Sequence, residues 1–314
     1  PMTDRNLSPQ QMFVRLAAEH VPTYRFGDRG PAEFLAWKAE ATPRVLATLG
    51  DWPERVPLQP ELLCEWSQDG LRRQRWVIDV SRHISATLLV NIPGDAPEGA
   101  RLPAILCCHG HGPFGKEPVM GNDSSPELRA NIAAHRYDYG RQMAQAGYVT
   151  YAIDWIGFGE RNDSNKPHFL NTNHNRDWCN LYYLHATMLG MTSLSINVAH
   201  GMAATDFAQT LPFVDPDRLG VMGLSGGGTM TLWMAFCDAR FRAAAIICYS
   251  DLWARLGIND ANYCGMQVAS GLYKLVDLPD LQGLLAPRPL LVDIGVHDTG
   301  FRADNALACS RQVE

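Results

Sequence analysis

The sequence predicts an α/β fold, a mainly parallel sheet flanked by helices and led by a helical extension. Three observations carry this. From about residue 100 onward, short continuous apolar runs alternate with segments of helix length, the pattern of strand–helix–strand crossovers. A glycine-rich turn at residues 223–228 joins one such run to one such helix. The chain has 314 residues, 46% apolar and 19% charged, enough to bury a large core.

Residues 10–20 and 31–49 read as helices; Pro31 suits a first turn and Gly50 the far end. We assign residues 1–60 to this extension and 61–314 to the main domain. Residues 61–67, 72–80 and 84–92 read as strands, with Gln68-Asp69-Gly70 as a turn and the third strand alternating enough for a sheet edge. Residues 103–108 form a continuous apolar run suited to a central strand. Residues 113–136, polar with Gly, Pro and Asn, read as a surface loop. A helix is expected from Tyr137 to Ala146 and a strand over 148–154, opening into a glycine-hinged loop at its carboxyl end. That edge is where open α/β sheets bind ligands.

Residues 162–190 are an insertion rich in Asn, His and aromatics (His168, His174, Trp178, Tyr182, Tyr183, His185) that reads equally as a pocket wall or a surface loop. A helix over 193–210 and a turn at Asp215-Pro216-Asp217 follow. Residues 243–249 read as another buried strand and 289–295 as a last strand, separated by a second, mostly helical insertion at 251–285.

Between the run ending at Met222 and the helix beginning near Thr229 lies Gly223-Leu224-Ser225-Gly226-Gly227. Gly-x-Ser-x-Gly in a strand–turn–helix context is the nucleophile-elbow pattern. A turn sharp enough to lift a serine hydroxyl above the sheet strains the backbone, and flanking glycines remove the side chains that would clash. Ser225 is the candidate nucleophile. The Gly226 amide opens the helix and faces a developing oxyanion. His109-Gly110-His111-Gly112 ends the central strand. A metal pair and a plain turn are alternatives there; an oxyanion loop, with the His111 amide as donor, is favoured.

A serine hydroxyl needs a base, and the base an orienting carboxylate, in the order Ser, Asp or Glu, His. Asp298, just past the last strand, is favoured over Asp251 and over Asp293, which lies within the strand. His297 precedes the acid and adjoins it in sequence, so the histidine is expected beyond Glu314. His109, His111, His174 and His200 are substitutes out of order.

A net charge of −6 argues against nucleic acid or an anionic membrane as main partner. No apolar signal core stands at the N-terminus and no run reaches membrane-spanning length, so a cytoplasmic location is expected. The eight cysteines (64, 107, 108, 179, 237, 248, 264 and 309) form no CxxC pair. Reduced thiols are expected, and no metal site.

From about residue 60 the chain resembles the α/β-hydrolase superfamily, nearest its dienelactone hydrolase and acetyl-xylan-esterase-like branch. The resemblance rests on His109 to Gly112, Asp154 to Gly159, Asp215 to Gly227, Ala286 to Leu290, and Gly295 to Asp298. It implies Ser225 as nucleophile, Asp298 as acid, and His111 with Gly226 as oxyanion donors. It also implies cofactor-free hydrolysis of carboxylic esters, lactones or acetylated sugars. Dienelactone hydrolases proper use cysteine, so Ser225 points to the esterase side. A related peptidase and a non-catalytic binding protein on the same fold are the competing readings.

Overall fold

Proline and polar caps set the first helices. In the computed structural model, which describes residues 5–163 and 177–313, the Ser8 hydroxyl caps α1 (Pro9–Glu19) by accepting the Gln11 amide. A 3₁₀ turn at Pro31–Glu33 leads into α2 (Phe34–Ala47), which buries Trp37, Ala41 and Val45. β1 (Glu61–Gln68), β2 (Leu71–Ser81) and β3 (Ile84–Pro93) then form an antiparallel meander. Its first hairpin turns through Asp69 and Gly70, both at positive φ, which matches the twist of the flanking strands.

The chain continues through β4 (Leu102–Cys108), α3 (Lys116–Val119), α4 (Pro126–His135), α5 (Tyr139–Gln145) and β5 (Val149–Ile153). Next come α6 (Trp178–Met188), α7 (Ser193–Thr210), β6 (Val214–Leu224), α8 (Gly226–Cys237) and β7 (Phe241–Ile247). The last elements are α9 (Leu272–Leu275), α10 (Leu278–Gly283), β8 (Leu290–Asp293) and α11 (Ala303–Val313). One sheet holds all eight strands in the order β1-β2-β3-β5-β4-β6-β7-β8. β5, β4, β6, β7 and β8 run parallel, and β3 joins them antiparallel through β5.

Side chains alternate across the sheet as a two-residue period requires. Leu88, Val90, Leu106, Cys108, Tyr151 and Ile153 enter the larger core, with buried residues of α2, α7 and α8. Leu89, Cys107 and Ala152 enter the smaller one, with Val119, Met120 and Tyr139. Cys107 and Cys108 are thus both buried apolar residues, on opposite faces.

Several expectations need correction. The strand at 84–92 is not an edge: β3 lies between β2 and β5, because the meander grows outward from it and leaves β1 outermost. Residues 113–136 hold α3 and α4 rather than a loop. α4 is started by Ser125, whose hydroxyl accepts the Leu128 amide, and by Pro126. It buries only Leu128, so its composition is that of a surface segment. Asp215 to Asp217 falls inside β6 as a bulge, where the register against β4 jumps and the Asp217 amide bonds Asp215 Oδ1 at 3.1 Å. In the first insertion α6 is described; His168 and His174 lie outside the described residues. The second insertion contains a π-helical turn (Ala254–Asn259), a 3₁₀ turn (Gly265–Gln267), α9 and α10. No helix among the described residues is long and apolar enough to cross a membrane.

A buried ionic cluster fixes the loops at the carboxyl ends of β4 and β5. Lys116, wholly buried, places Nζ 2.8 Å from Asp154 Oδ2, 2.6 Å from Glu160 Oε2 and 3.0 Å from Thr87 Oγ1. Asp154 also accepts the Lys116 amide at 2.8 Å and the Glu160 amide at 3.0 Å. Burial alone would neutralise these groups; Asp154 and its neighbours hold Lys116 above its ordinary range, and Lys116 holds Asp154 below its own. Breaking a buried pair leaves one charge uncompensated, at a cost of about 3–5 kcal/mol. Lys116→Met is therefore expected to lower unfolding free energy by about that amount in urea titrations. Adding Asp154→Asn should restore part of the loss; a double variant no more stable than Lys116→Met contradicts the pairing.

Candidate active site

The site begins with backbone strain. Ser225 sits between β6 and α8 at φ 58° and ψ −119°, a conformation that non-glycine residues rarely adopt. Its amide donates to the Ile247 carbonyl at 2.8 Å, and its carbonyl accepts the Thr229 amide at 3.1 Å. The turn fits because its neighbours carry no side chain. A Cβ on Gly223 would lie 2.5 Å from the Cys108 carbonyl oxygen, and one on Gly227 would collide with that same carbonyl. Ser225 is part-exposed, and no hydrogen bond among the described residues engages its hydroxyl.

The loop after β4 closes over this turn. A Cβ on Gly110 would lie 2.6 Å from the Leu224 carbonyl and 3.7 Å from the Gly226 amide nitrogen. A Cβ on Gly226 would lie 3.6 Å from the His111 amide nitrogen. The two amides singled out in the sequence, Gly226 and His111, thus stand within one small volume beside Ser225. His109 is the loop's anchor. Buried at 1% exposure, its Nδ1–H donates to the Gly110 carbonyl at 2.8 Å and its Nε2 accepts the Trp155 amide at 2.9 Å. Both ring nitrogens serve backbone, which leaves none for a metal. Burial outweighs the pull of Asp154 and holds this imidazole neutral, below its ordinary range.

Ser225, His111 and Asp298 line one cleft of about 700 Å³, with Cys248, Ala261, Tyr263, Cys264 and Phe301 among its walls. Of the six non-glycine residues at positive φ among the described residues, three (Ser225, Cys248 and Ala261) belong to it. Strain of this kind concentrates at functional sites. Asp298 stands beyond β8. Its Oδ1 accepts the Gly300 amide at 2.8 Å and the Phe301 amide at 2.9 Å. Burial pushes its carboxyl up, but these amides and the Cys248 thiol outweigh that and hold it below the usual range.

The rival acid, Asp251, is fully buried away from the cleft. It accepts the Leu252 amide at 2.7 Å and Asn305 Nδ2 at 3.1 Å, and burial pushes its pKa up. Among the substitute bases, His200 is buried with Nδ1 accepting from Arg161 at 2.9 Å, and burial drives it well below its ordinary range. Sequence reasoning passed over His135, which lines the cleft at the end of α4 with its ring stacked on Tyr137. It also passed over Cys248, whose position depends on the turn after β7. Among the described residues no imidazole is hydrogen-bonded to Asp298.

Two measurements follow from the strain and the buried imidazole. Ser225→Gly and Ser225→Ala both remove the hydroxyl, but the glycine alone relieves the backbone; it is expected to be the more stable by about 1 kcal/mol. Equal stability would mean the turn is unstrained. In the native state burial holds the proton affinity of His109 below the ordinary 6.5 and that of His200 well below it, so the unfolded chain protonates at these positions first as pH falls. Their contribution is complete above about pH 6.5 and is lost as pH falls below it. Urea midpoints should drop from pH 7.5 to 5.5, and less steeply in His109→Gln.

Against known proteins, the abhydrolase family model matches residues 2–308. YtaP of Bacillus subtilis, named as a hydrolase, is 26% identical over 266 residues, covering 83% of this chain and 81% of its own. A Bacteroides fragilis protein named as an acetyl xylan esterase superposes with a TM-score of 0.78 at 20% identity, over 100% of this chain and 80% of that one. A glucuronoyl esterase from Solibacter usitatus gives 0.64 at 19% identity, over 89% and 79%. The sheet order, the strained serine at the β6–α8 turn and the family match over nearly the whole length agree: this chain belongs to the abhydrolase family and has the α/β-hydrolase fold.

Proposed function

We propose that the protein is a serine hydrolase of small carboxylic esters. One observation carries the reading: the part-exposed Ser225 hydroxyl stands on a strained turn beside the Gly226 and His111 amides. In this reaction Ser225 Oγ attacks the ester carbonyl carbon and gives up its proton to a base. The carbonyl oxygen takes the negative charge and is met by the two N–H donors. The alcohol leaves with a proton, and water then releases the acid from the acyl-enzyme. Asp298, ionised at neutral pH, is the carboxylate that would orient the base.

The names of relatives, a hydrolase and two sugar-directed esterases, point the same way. An acetyl ester, a lactone or an acetylated sugar suits a cleft of this size with aromatic walls. Eight unpaired cysteines and the acidic net charge support a reducing, cytoplasmic setting and a small-molecule substrate rather than nucleic acid or membrane.

A second reading, a binding protein on this fold, draws support from the lack of an imidazole bonded to Asp298 among the described residues. A fluorophosphonate probe separates the two. Ser225 of the full-length protein should be labelled, and p-nitrophenyl acetate hydrolysis should disappear with Ser225→Ala. An unlabelled Ser225, or hydrolysis equal in the variant, favours the binding protein.

A further inference from the structure

Three segments that the sequence keeps far apart converge at the rim of the cleft. His111 comes from the loop after β4, Cys179 from the first turn of α6, and Cys264 from the second insertion. His111 Nε2 lies 3.1 Å from Cys264 Sγ, and the three side chains each offer one donor atom within 4.8 Å of the others. A tetrahedral zinc ion, with Zn–S of about 2.3 Å and Zn–N of about 2.0 Å, needs ligand edges of roughly 3.5–3.8 Å. The separations, 3.1 Å for His111 to Cys264 and up to 4.8 Å within the cluster, bracket those edges, so an ion seats once the donors shift by about 1 Å.

The segments are braced, so the donors are held before any ion arrives. The Gly265 amide donates to Asn180 Oδ1 at 2.7 Å, tying the Cys264 turn to α6. Gln267 Oε1 accepts the Cys264 amide at 3.2 Å, and Gln267 Nε2 donates to Thr229 in α8 at 3.1 Å. The edge-on ring of Phe158, 5.2 Å from the His111 ring, sets that imidazole's orientation. Cys179 is buried, and its thiol donates to Asp177 Oδ2 at 2.7 Å.

We propose that His111 Nε2, Cys179 Sγ and Cys264 Sγ form a site for a thiophilic divalent cation of the zinc class. The fourth position is open to the cleft, where water completes the tetrahedron. Two sulfurs and an imidazole select zinc-like ions over calcium or magnesium, which take oxygen donors. Binding releases the thiol protons of Cys179 and Cys264; Asp177 is placed to accept the first and solvent takes the second. The ion would fasten the loop that carries the His111 amide to both insertions. The site stands independently of ester hydrolysis, since it needs neither Ser225 nor Asp298.

Cobalt(II) added to the fully reduced, full-length protein under argon is the test. One equivalent should give a thiolate-to-cobalt charge-transfer band and tetrahedral d–d absorption, both displaced by zinc. Cys179→Ser and Cys264→Ser should each lose intensity in the charge-transfer band, and the double variant should lose it entirely. Cys264→His, which keeps three ligands, should bind with about half the band. Cys64→Ser, altered on exposed β1, should bind as the parent does, as should Ser225→Ala. No band in the reduced protein, a band surviving in the double variant, or Cys179 and Cys264 recovered as a disulfide after reduction under argon overturns the site.

Discussion

Everything at the carboxyl edge of the sheet is arranged around one constraint, the disfavoured backbone of Ser225. Its φ of 58° is maintained because both its backbone groups are bonded, to Ile247 and Thr229, and because Gly223 and Gly227 let α8 start hard against the Cys108 carbonyl. Strain of this kind costs about 1–3 kcal/mol and survives only where its surroundings over-determine it. Here the surroundings are the parallel β4–β6 pair, with Cys108 opposite Gly223, and a helix whose first ten residues are all buried. A hydroxyl is thereby held clear of the packed core, on a frame that cannot relax by moving one side chain.

Polar groups around that frame are buried at a cost and satisfied in return. His109 donates and accepts through its two nitrogens and so pins the loop that delivers the His111 amide. Lys116 and Asp154 join that loop to the one after β5. Such groups add little net stability compared with an apolar core, but they restrict the loops to one arrangement. The cleft then takes its shape from loops tied to each other as well as to the sheet.

Local features were legible in the sequence. The strand–turn–helix at 223–227 and α7, placed from Ser193 to Thr210, depend on short-range chemistry: glycines where Cβ atoms would clash, and the Thr192 cap reciprocated by Ser195. α4 was missed because a helix that buries one leucine reads as a loop by composition. The place of β3 was misjudged because alternation reports which faces are covered, not which strands sit alongside. His111 and Cys264 are 153 positions apart, so no spacing rule could bring them together. Asp298 is singled out in the sequence by its place after the last strand, but its bonds to the Gly300 and Phe301 amides come from a loop that only the fold defines.

The most direct test is a crystal structure of the protein after reaction with a fluorophosphonate. A phosphonyl group is expected on Ser225 Oγ, with its oxygen within hydrogen-bond distance of both the Gly226 and His111 amides. An adduct whose oxygen points to solvent, or one carried by another residue, would contradict it.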